Sequence, residues 1–200
     1  MKRLAVLIST GGTGTNLQAI INAIEKGELK AKIVVVLSDS SDALGLERAR
    51  KHEIPYEIVD KNTDLVALLK KQYQVDYICL AGWKLIIPDS FIDSFENKIL
   101  NIHPGLIPDS LSSRVKNPDG SKALWNRGKF TDKAIQNFLD SGASYAGSTV
   151  HFLSHDFDFG PILGRVFMKI ESNDTVDSLY SRLKHKEHEL YINVLKKLCK

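Results

Sequence analysis

Asn101 and His103 stand two residues apart in Ile99-Leu100-Asn101-Ile102-His103-Pro104, where an apolar run ends at a proline. On an extended strand, residues i and i+2 project from one face. Pro104 has no N–H for a sheet ladder and forces the chain to turn. An amide donor and an imidazole are therefore presented together at a strand's carboxyl end, the edge where open α/β sheets collect their ligands. Such a pair suits polarisation of a carbonyl and stabilisation of the oxyanion formed on attack. The alternative is a hydrogen-bonded pair that merely closes the strand.

A second constellation lies near the start of the chain. Gly12, Thr13, Gly14, Thr15 and Asn16 separate an apolar run from a helical pattern. Backbone N–H groups in such a turn, with the positive end of the helix behind them, cradle a phosphate. The third glycine of the dinucleotide fingerprint is missing, and the loop holds no lysine of the Walker type. Asp156 and Asp158 flank a turn ending in Gly160-Pro161, where aspartates commonly accept local hydrogen bonds. His151, His155, Asp156 and Asp158 do not have a recognised metal-ligand spacing and include no cysteine, so no metal is expected. Glu187, within Lys184-His185-Lys186-Glu187-His188-Glu189, reads as part of a solvated helix face. Trp83 reads as core.

The elements that must position these residues alternate. Apolar runs at 4–8, 31–37, 56–59, 75–82 and 98–103 read as strands, the continuous ones buried on both faces. Helical spacing appears at 17–24, stopping at Gly27, then at 44–52, at 64–73 and from Pro88 to about Phe95. Strand and helix in alternation imply right-handed crossovers. The fold class is therefore α/β and Rossmann-like, with a mostly parallel central sheet and helices on both faces. After Pro108 the pattern lapses: 109–130 is polar, irregular and long for a connection inside a compact domain. A helix at 131–139, strands at 148–154 and 162–170, and a long helix at 175–198 capped by Asn173 or Asp174 complete the reading. No repeat or linker is evident, so residues 1–200 are expected to form one domain.

The totals narrow the function classes. Charged residues are 26% and hydrophobic ones 43%, as in an ordinary soluble globular protein. A net charge of +3 is too small to argue for nucleic acid and is compatible with a phosphorylated small molecule. Two cysteines do not make a disulfide framework, so a reducing compartment is the default. The opening apolar run stops at Ser9 and suits a first strand better than a signal peptide. No run approaches the roughly 20 residues that span a bilayer. A cytoplasmic protein with no membrane and no nucleic-acid partner is expected.

Several motifs, taken together and in order, resemble the folate-dependent formyltransferases. They are Ile8-Ser9 with Gly12 to Ile20, Ala43 to Ala49, Leu80-Ala81-Gly82-Trp83, Leu100 to Pro104, Thr149-Val150-His151-Phe152 and Asp158-Phe159-Gly160-Pro161. The glycine loop and Lys186-Glu187-His188 are similar, more narrowly, to the phosphoribosylglycinamide formyltransferases. The resemblance implies transfer of a formyl group from 10-formyltetrahydrofolate, as cosubstrate, to the amine of glycinamide ribonucleotide in purine biosynthesis. It implies a catalytic trio of Asn101, His103 and Asp158, the ribonucleotide phosphate on Gly12 to Asn16, and the glycinamide end on Glu187. Leu85, Ile86, Ile87, Asn101, His155, Asp156 and Phe157 would line the pterin slot. By the same resemblance Asn101 and His103 would both donate to the formyl oxygen, and the protein would be a monomer or homodimer.

The chain departs from the family pattern at three places. The glycine loop carries about two extra residues before Gly12. Leu85 stands where an arginine is usual, with Lys84 beside it. The segment at about 109–130 is an unusual insertion, holding Arg114, Lys116, Lys122, Arg127 and Lys129; it is either a tolerated surface loop or a lid or interface beside the folate slot. Formyltransferases for a sugar nucleotide or an aminoacyl-tRNA, formyltetrahydrofolate hydrolase, and a non-enzymatic phosphometabolite-binding domain are the competing readings. The tRNA enzyme's additional C-terminal domain has no counterpart in 200 residues.

Overall fold

The computed structural model describes residues 1–200, which form two compact units, Met1–Asn101 with Leu195–Lys200, and Ile102–Val194. The first unit holds β1 (Lys2–Ile8), α1 (Thr15–Glu25), β2 (Ala31–Ser38), α2 (Gly45–Lys51), β3 (Tyr56–Ile58), α3 (Leu65–Ala67), β4 (Tyr77–Leu80), α4 (Asp89–Ser94) and the start of β5 (Ile99–His103). These five strands are parallel, in the order β3-β2-β1-β4-β5. The order reverses at β1, so right-handed crossovers send α1 and α2 to one face and α3 and α4 to the other. Contacts of α1 with α2 and of α3 with α4 agree.

Burial explains why the strand sequences look as they do. Leu4, Ala5, Val6 and Leu7 of β1 and Val35, Val36 and Leu37 of β2 have no exposed surface, because helices cover both faces of a parallel sheet. Edge strand β3 instead exposes Tyr56 and Ile58. Since the strands run parallel, the segments after β1, β2 and β4 emerge at one edge. Asn101, paired with Leu80, lies at that same edge.

The second unit holds α5 (Thr131–Asp140), the antiparallel pair β6 (Tyr145–Phe152) and β7 (Ile162–Lys169), and most of α6 (Val176–Leu198). Ile135, Phe138, Ala146, Leu179 and Leu183 form its core, with Leu124 packed against them.

Local boundaries differ from the sequence expectations for identifiable reasons. The helix expected at 64–73 starts at Asp64, whose carboxylate caps Ala67 N–H at 2.9 Å, and then widens into a π-helical stretch over Leu68–Gln72. Pro88 precedes α4 in an extended conformation rather than occupying its first turn. β6 begins at Tyr145, three residues earlier than expected, because Gly147 is a strand residue: a Cβ there would lie 2.4 Å from the Val166 carbonyl oxygen. α6 is capped by Thr175 rather than Asn173 or Asp174. The Thr175 hydroxyl accepts from Ser178 N–H at 3.2 Å, and the Ser178 hydroxyl accepts from Thr175 N–H at 2.9 Å, the reciprocal pattern of a capping box. Residues 109–130 are irregular, as expected, with a single bridge between Lys116 and Lys122. No helix is long and apolar enough to cross a membrane.

Candidate active site

β5 delivers His103 into a site where it is only 2% exposed. After Pro104 the chain turns tightly, with Gly105 N–H donating to the His103 carbonyl at 2.8 Å. Gly105 is required by what approaches it: a Cβ there would lie 1.8 Å from the Trp125 carbonyl oxygen. That oxygen sits 2.7 Å from His103 Nε2. A carbonyl can only accept, so Nε2 carries a proton. The other ring nitrogen, Nδ1, lies 3.5 Å from Asp158 Oδ1. With acceptors on both sides, the doubly protonated ring satisfies every contact.

Asp158 is itself held from several directions. It adopts a left-handed conformation, φ 49°, uncommon for a residue with a side chain. Gly128 N–H donates to Oδ2 at 2.7 Å, and the Trp125 indole N–H donates to the Asp158 carbonyl at 2.9 Å. Arg127 Nε donates to the Phe157 carbonyl at 2.8 Å, with its guanidinium 5.0 Å above the Trp125 ring. Burial alone would raise the Asp158 carboxyl, but the hydrogen bond and charge of His103, with Gly128 N–H, outweigh it and hold the group below the ordinary aspartate range. Next to this pair, buried His151 is pushed down to about 4, first by desolvation and then by the charge of His103. It is the neutral histidine of the site.

Glu187 is 4% exposed, which overturns its reading as part of a solvated face. α6 turns it inward, where the Ser148 hydroxyl of β6 donates to Oε1 at 2.5 Å. Burial pushes this carboxyl up, against the opposing pull of the Ser148 hydrogen bond, Lys184 and His103. A buried carboxylate with one strong donor and unused acceptor capacity suits a cationic or N–H ligand.

In the first unit, Gly11 and Gly14 take positive φ, 77° and 67°, and Gly14 precedes α1 with no side-chain cap. The first-turn N–H groups of α1 are thus free of a capping side chain. Two cations that sequence reading did not assign lie at this loop. Arg48 donates from Nε to the Thr13 carbonyl at 3.0 Å and from Nη1 to Gln18 at 2.9 Å. Lys84 Nζ lies 2.9 Å from where a Cβ on Gly11 would be. Gly45 accompanies Arg48, a small residue where α2 passes 2.7 Å from a Gly14 Cβ.

The residues expected to line a pterin slot include large apolar side chains left in solvent, Leu85 and Ile86 in the first unit and Phe157, 60% exposed, in the second. His155 and Asp156 are exposed, and Ile87 is half-buried. Trp83, expected in the core, is half-buried, with its indole N–H buried and without a partner. His151, His155, Asp156 and Asp158 do not converge as a ligand set. Sequence reasoning missed Trp125, Gly128 and Ser148. The first two sat in a segment without periodicity, and nothing distinguished Ser148 from other strand residues.

Residues 2–195 match the family model described as formyl transferase. The chain belongs to the formyl transferase family. It is 33% identical over 99% of its length to the chloroplastic phosphoribosylglycinamide formyltransferase of Arabidopsis thaliana and covers 65% of that protein. It is 33% identical to the phosphoribosylglycinamide formyltransferase of Haemophilus influenzae, over 98% of this chain and 86% of that one. The chain thus spans just under two thirds of the plant relative and most of the bacterial one. The glycinamide ribonucleotide transformylase 1 crystal structure from Symbiobacterium toebii superposes with a TM-score of 0.82 at 33% identity, covering 100% of this chain and 88% of the other.

Proposed function

We propose that this formyl transferase family member moves the formyl group of 10-formyltetrahydrofolate to the amine of glycinamide ribonucleotide, a step of purine biosynthesis. The observation that carries the reading is buried His103 with half-buried Asp158 3.5 Å from its Nδ1, at the end of the strand that presents Asn101. Relatives named for this activity share a third of their residues with the chain along nearly its whole length.

The acceptor amine attacks the formyl carbon, and negative charge grows on the formyl oxygen. Asn101 donates a hydrogen bond to it, and the His103 imidazolium stabilises it electrostatically; one such donor is typically worth about 10²–10³ in turnover. The acceptor nitrogen gives up one proton as its bond to carbon forms, and the folate nitrogen takes one as its bond breaks. His103 and Asp158 manage this proton. Glu187 holds the glycinamide end, and the loop from Gly12 to Asn16 takes the phosphate, helped by Arg48 and Lys84. Leu85 and Ile86 in the first unit, and Phe157 beside His155 and Asp156 in the second, each expose apolar surface of the kind that the flat face of a pterin takes. The long segment at 109–130 serves the site through Trp125 to Gly128. The protein works in the cytoplasm, without a metal, as a monomer or homodimer.

Steady-state formyl transfer tests the reading, with glycinamide ribonucleotide, an amino sugar nucleotide, methionyl-tRNA and water as acceptors. Glycinamide ribonucleotide is expected to react with the highest kcat/KM. Reaction with another acceptor while glycinamide ribonucleotide stays inert would overturn the assignment.

A further inference from the structure

The segment Trp125-Asn126-Arg127-Gly128 touches both members of the proposed catalytic pair, yet none of its side chains reaches the reacting groups themselves. Its backbone does. The Trp125 carbonyl accepts a hydrogen bond from His103 Nε2 at 2.7 Å, and three residues on, Gly128 N–H donates to Asp158 Oδ2 at 2.7 Å. The Trp125 indole also donates to the Asp158 carbonyl, and its ring lies 5.8 Å from that of Phe159.

The strap is itself tied down. Asn126, at φ 58°, donates from Nδ2 to the Pro104 carbonyl at 3.0 Å and to the Ala134 carbonyl at 3.2 Å, and accepts from Asn137 Nδ2 at 2.7 Å. Leu106 N–H donates to the Leu124 carbonyl at 2.8 Å. The turn after His103 and the start of α5 therefore fix where the Trp125 carbonyl stands. Only glycine at 105 leaves room for it.

We infer that this strap is the positioning element of the His103–Asp158 pair: the Trp125 carbonyl keeps a proton on His103 Nε2, so that Nδ1, facing Asp158, is the nitrogen that gains and loses the proton during formyl transfer. The assignment rests on the proposed function only for the identity of the reaction. The bond formed joins the acceptor nitrogen to the formyl carbon, the bond broken frees the folate nitrogen, and one proton passes from the first nitrogen to the second. Nδ1 is the site through which it passes. Nε2 takes no part, because its proton is committed to the strap, and donation to the formyl oxygen from that nitrogen is ruled out. The ionisable groups surrounding the ring are Asp158 from the 153–161 turn, His151 from β6 and Glu187 from α6. His151 is held neutral and Glu187 shares its charge with Ser148, so Asp158 is the partner of Nδ1.

The test is ¹⁵N NMR of the imidazole nitrogens in the full chain, with the His103 signals assigned by their loss in His103→Gln. Nε2 is expected to stay protonated through a titration from acid to alkali, while Nδ1 alone changes state. A neutral ring protonated at Nδ1, or an even mixture of tautomers, overturns the inference. Gly105→Ala drives the Trp125 carbonyl away; it should abolish the Nε2 preference and lower kcat about tenfold, a part of the 10²–10⁴ that positioned acid–base groups contribute, with KM little changed. Trp125→Phe keeps the backbone carbonyl while exchanging the indole and its N–H for a phenyl ring, so it should retain the tautomer. It remains informative if Gly105→Ala does not fold, and loss of the Nε2 preference in Trp125→Phe would count against the carbonyl. The expected tautomer in a protein that formylates none of the amines leaves the strap assignment standing and removes the proposed function.

Discussion

The glycine loop before α1 and the pocket of His103 and Asp158 are built on opposite plans. The loop offers backbone N–H groups at positive-φ glycines, with two cations, Arg48 and Lys84, laid against it. In the pocket His103 is buried and Asp158 partly so, and each is held by at least two partners. A phosphate carries full charge before and after reaction, so adjustable donors in contact with water serve it well. An oxyanion and a proton in transit exist only briefly, so their partners must already stand in place. On the proposed function, the open contact would bind and the fixed geometry would do the chemistry.

The sharpest way to break this contrast is to disturb the pocket without unfolding it. Asp158→Asn keeps the shape and the Gly128 hydrogen bond but removes the charge facing Nδ1. Turnover is expected to fall by about 10²–10⁴, with the circular dichroism spectrum unchanged. Full activity in this variant would make the pocket a structural feature, like any buried turn.

Burial of the pocket should also appear as a pH dependence of stability. His151 titrates near 6.5 when unfolded and near 4 when folded, so between these values the unfolded chain holds the extra proton. Stability is therefore complete above pH 6.5 and declines as pH falls toward 4, by roughly 3 kcal/mol at about 1.4 kcal/mol per pH unit. Urea unfolding between pH 4 and 7 measures it, and His151→Gln should flatten the slope. Asp158 has the ordinary sign for a depressed carboxylate. Its contribution is present above the unfolded value of 3.8 and is lost as pH falls through its lower folded value.

A smaller effect separates Glu187 from both regions. Ser148→Ala removes the one donor seen on a buried carboxylate and should cost about 1–3 kcal/mol in chemical denaturation. It should also raise the carboxyl further, weakening the acceptor amine's hold at neutral pH. Unchanged stability would mean that solvent reaches Glu187 after all.

The mildest change belongs to the loop. Replacing Arg48 and Lys84 with alanine should raise the KM of a phosphorylated acceptor several-fold and leave kcat alone. The difference should shrink as salt is added, since exposed charges are screened. A fall in kcat instead would show that the two cations serve the chemistry as well as binding.

Much of this arrangement is legible in the chain. The continuous apolar runs of β1 and β2, the helix stop at Gly27, and the Asn101-x-His103-Pro104 strand end follow from periodicity and from what glycine and proline permit. The glycine loop announces itself between a strand and a helix. Glu187 is different: local sequence places it in a charged run, and only the packing of α6 on β6 turns that one residue inward. Trp125 and Gly128 are harder still, because their contributions come from a carbonyl and an N–H that every residue possesses.

The sequence by itself determined the alternating α/β order, the strand end carrying Asn101 and His103, and the glycine loop between the first strand and helix. Those depend on interactions within a few residues. Tertiary structure alone decided which nitrogen of His103 holds a proton, that Asp158 is charged beside it, that Glu187 is buried, and that Lys84 lies against the glycine loop. Protonation and burial are set by neighbours tens of residues away, and no local pattern of side chains records them.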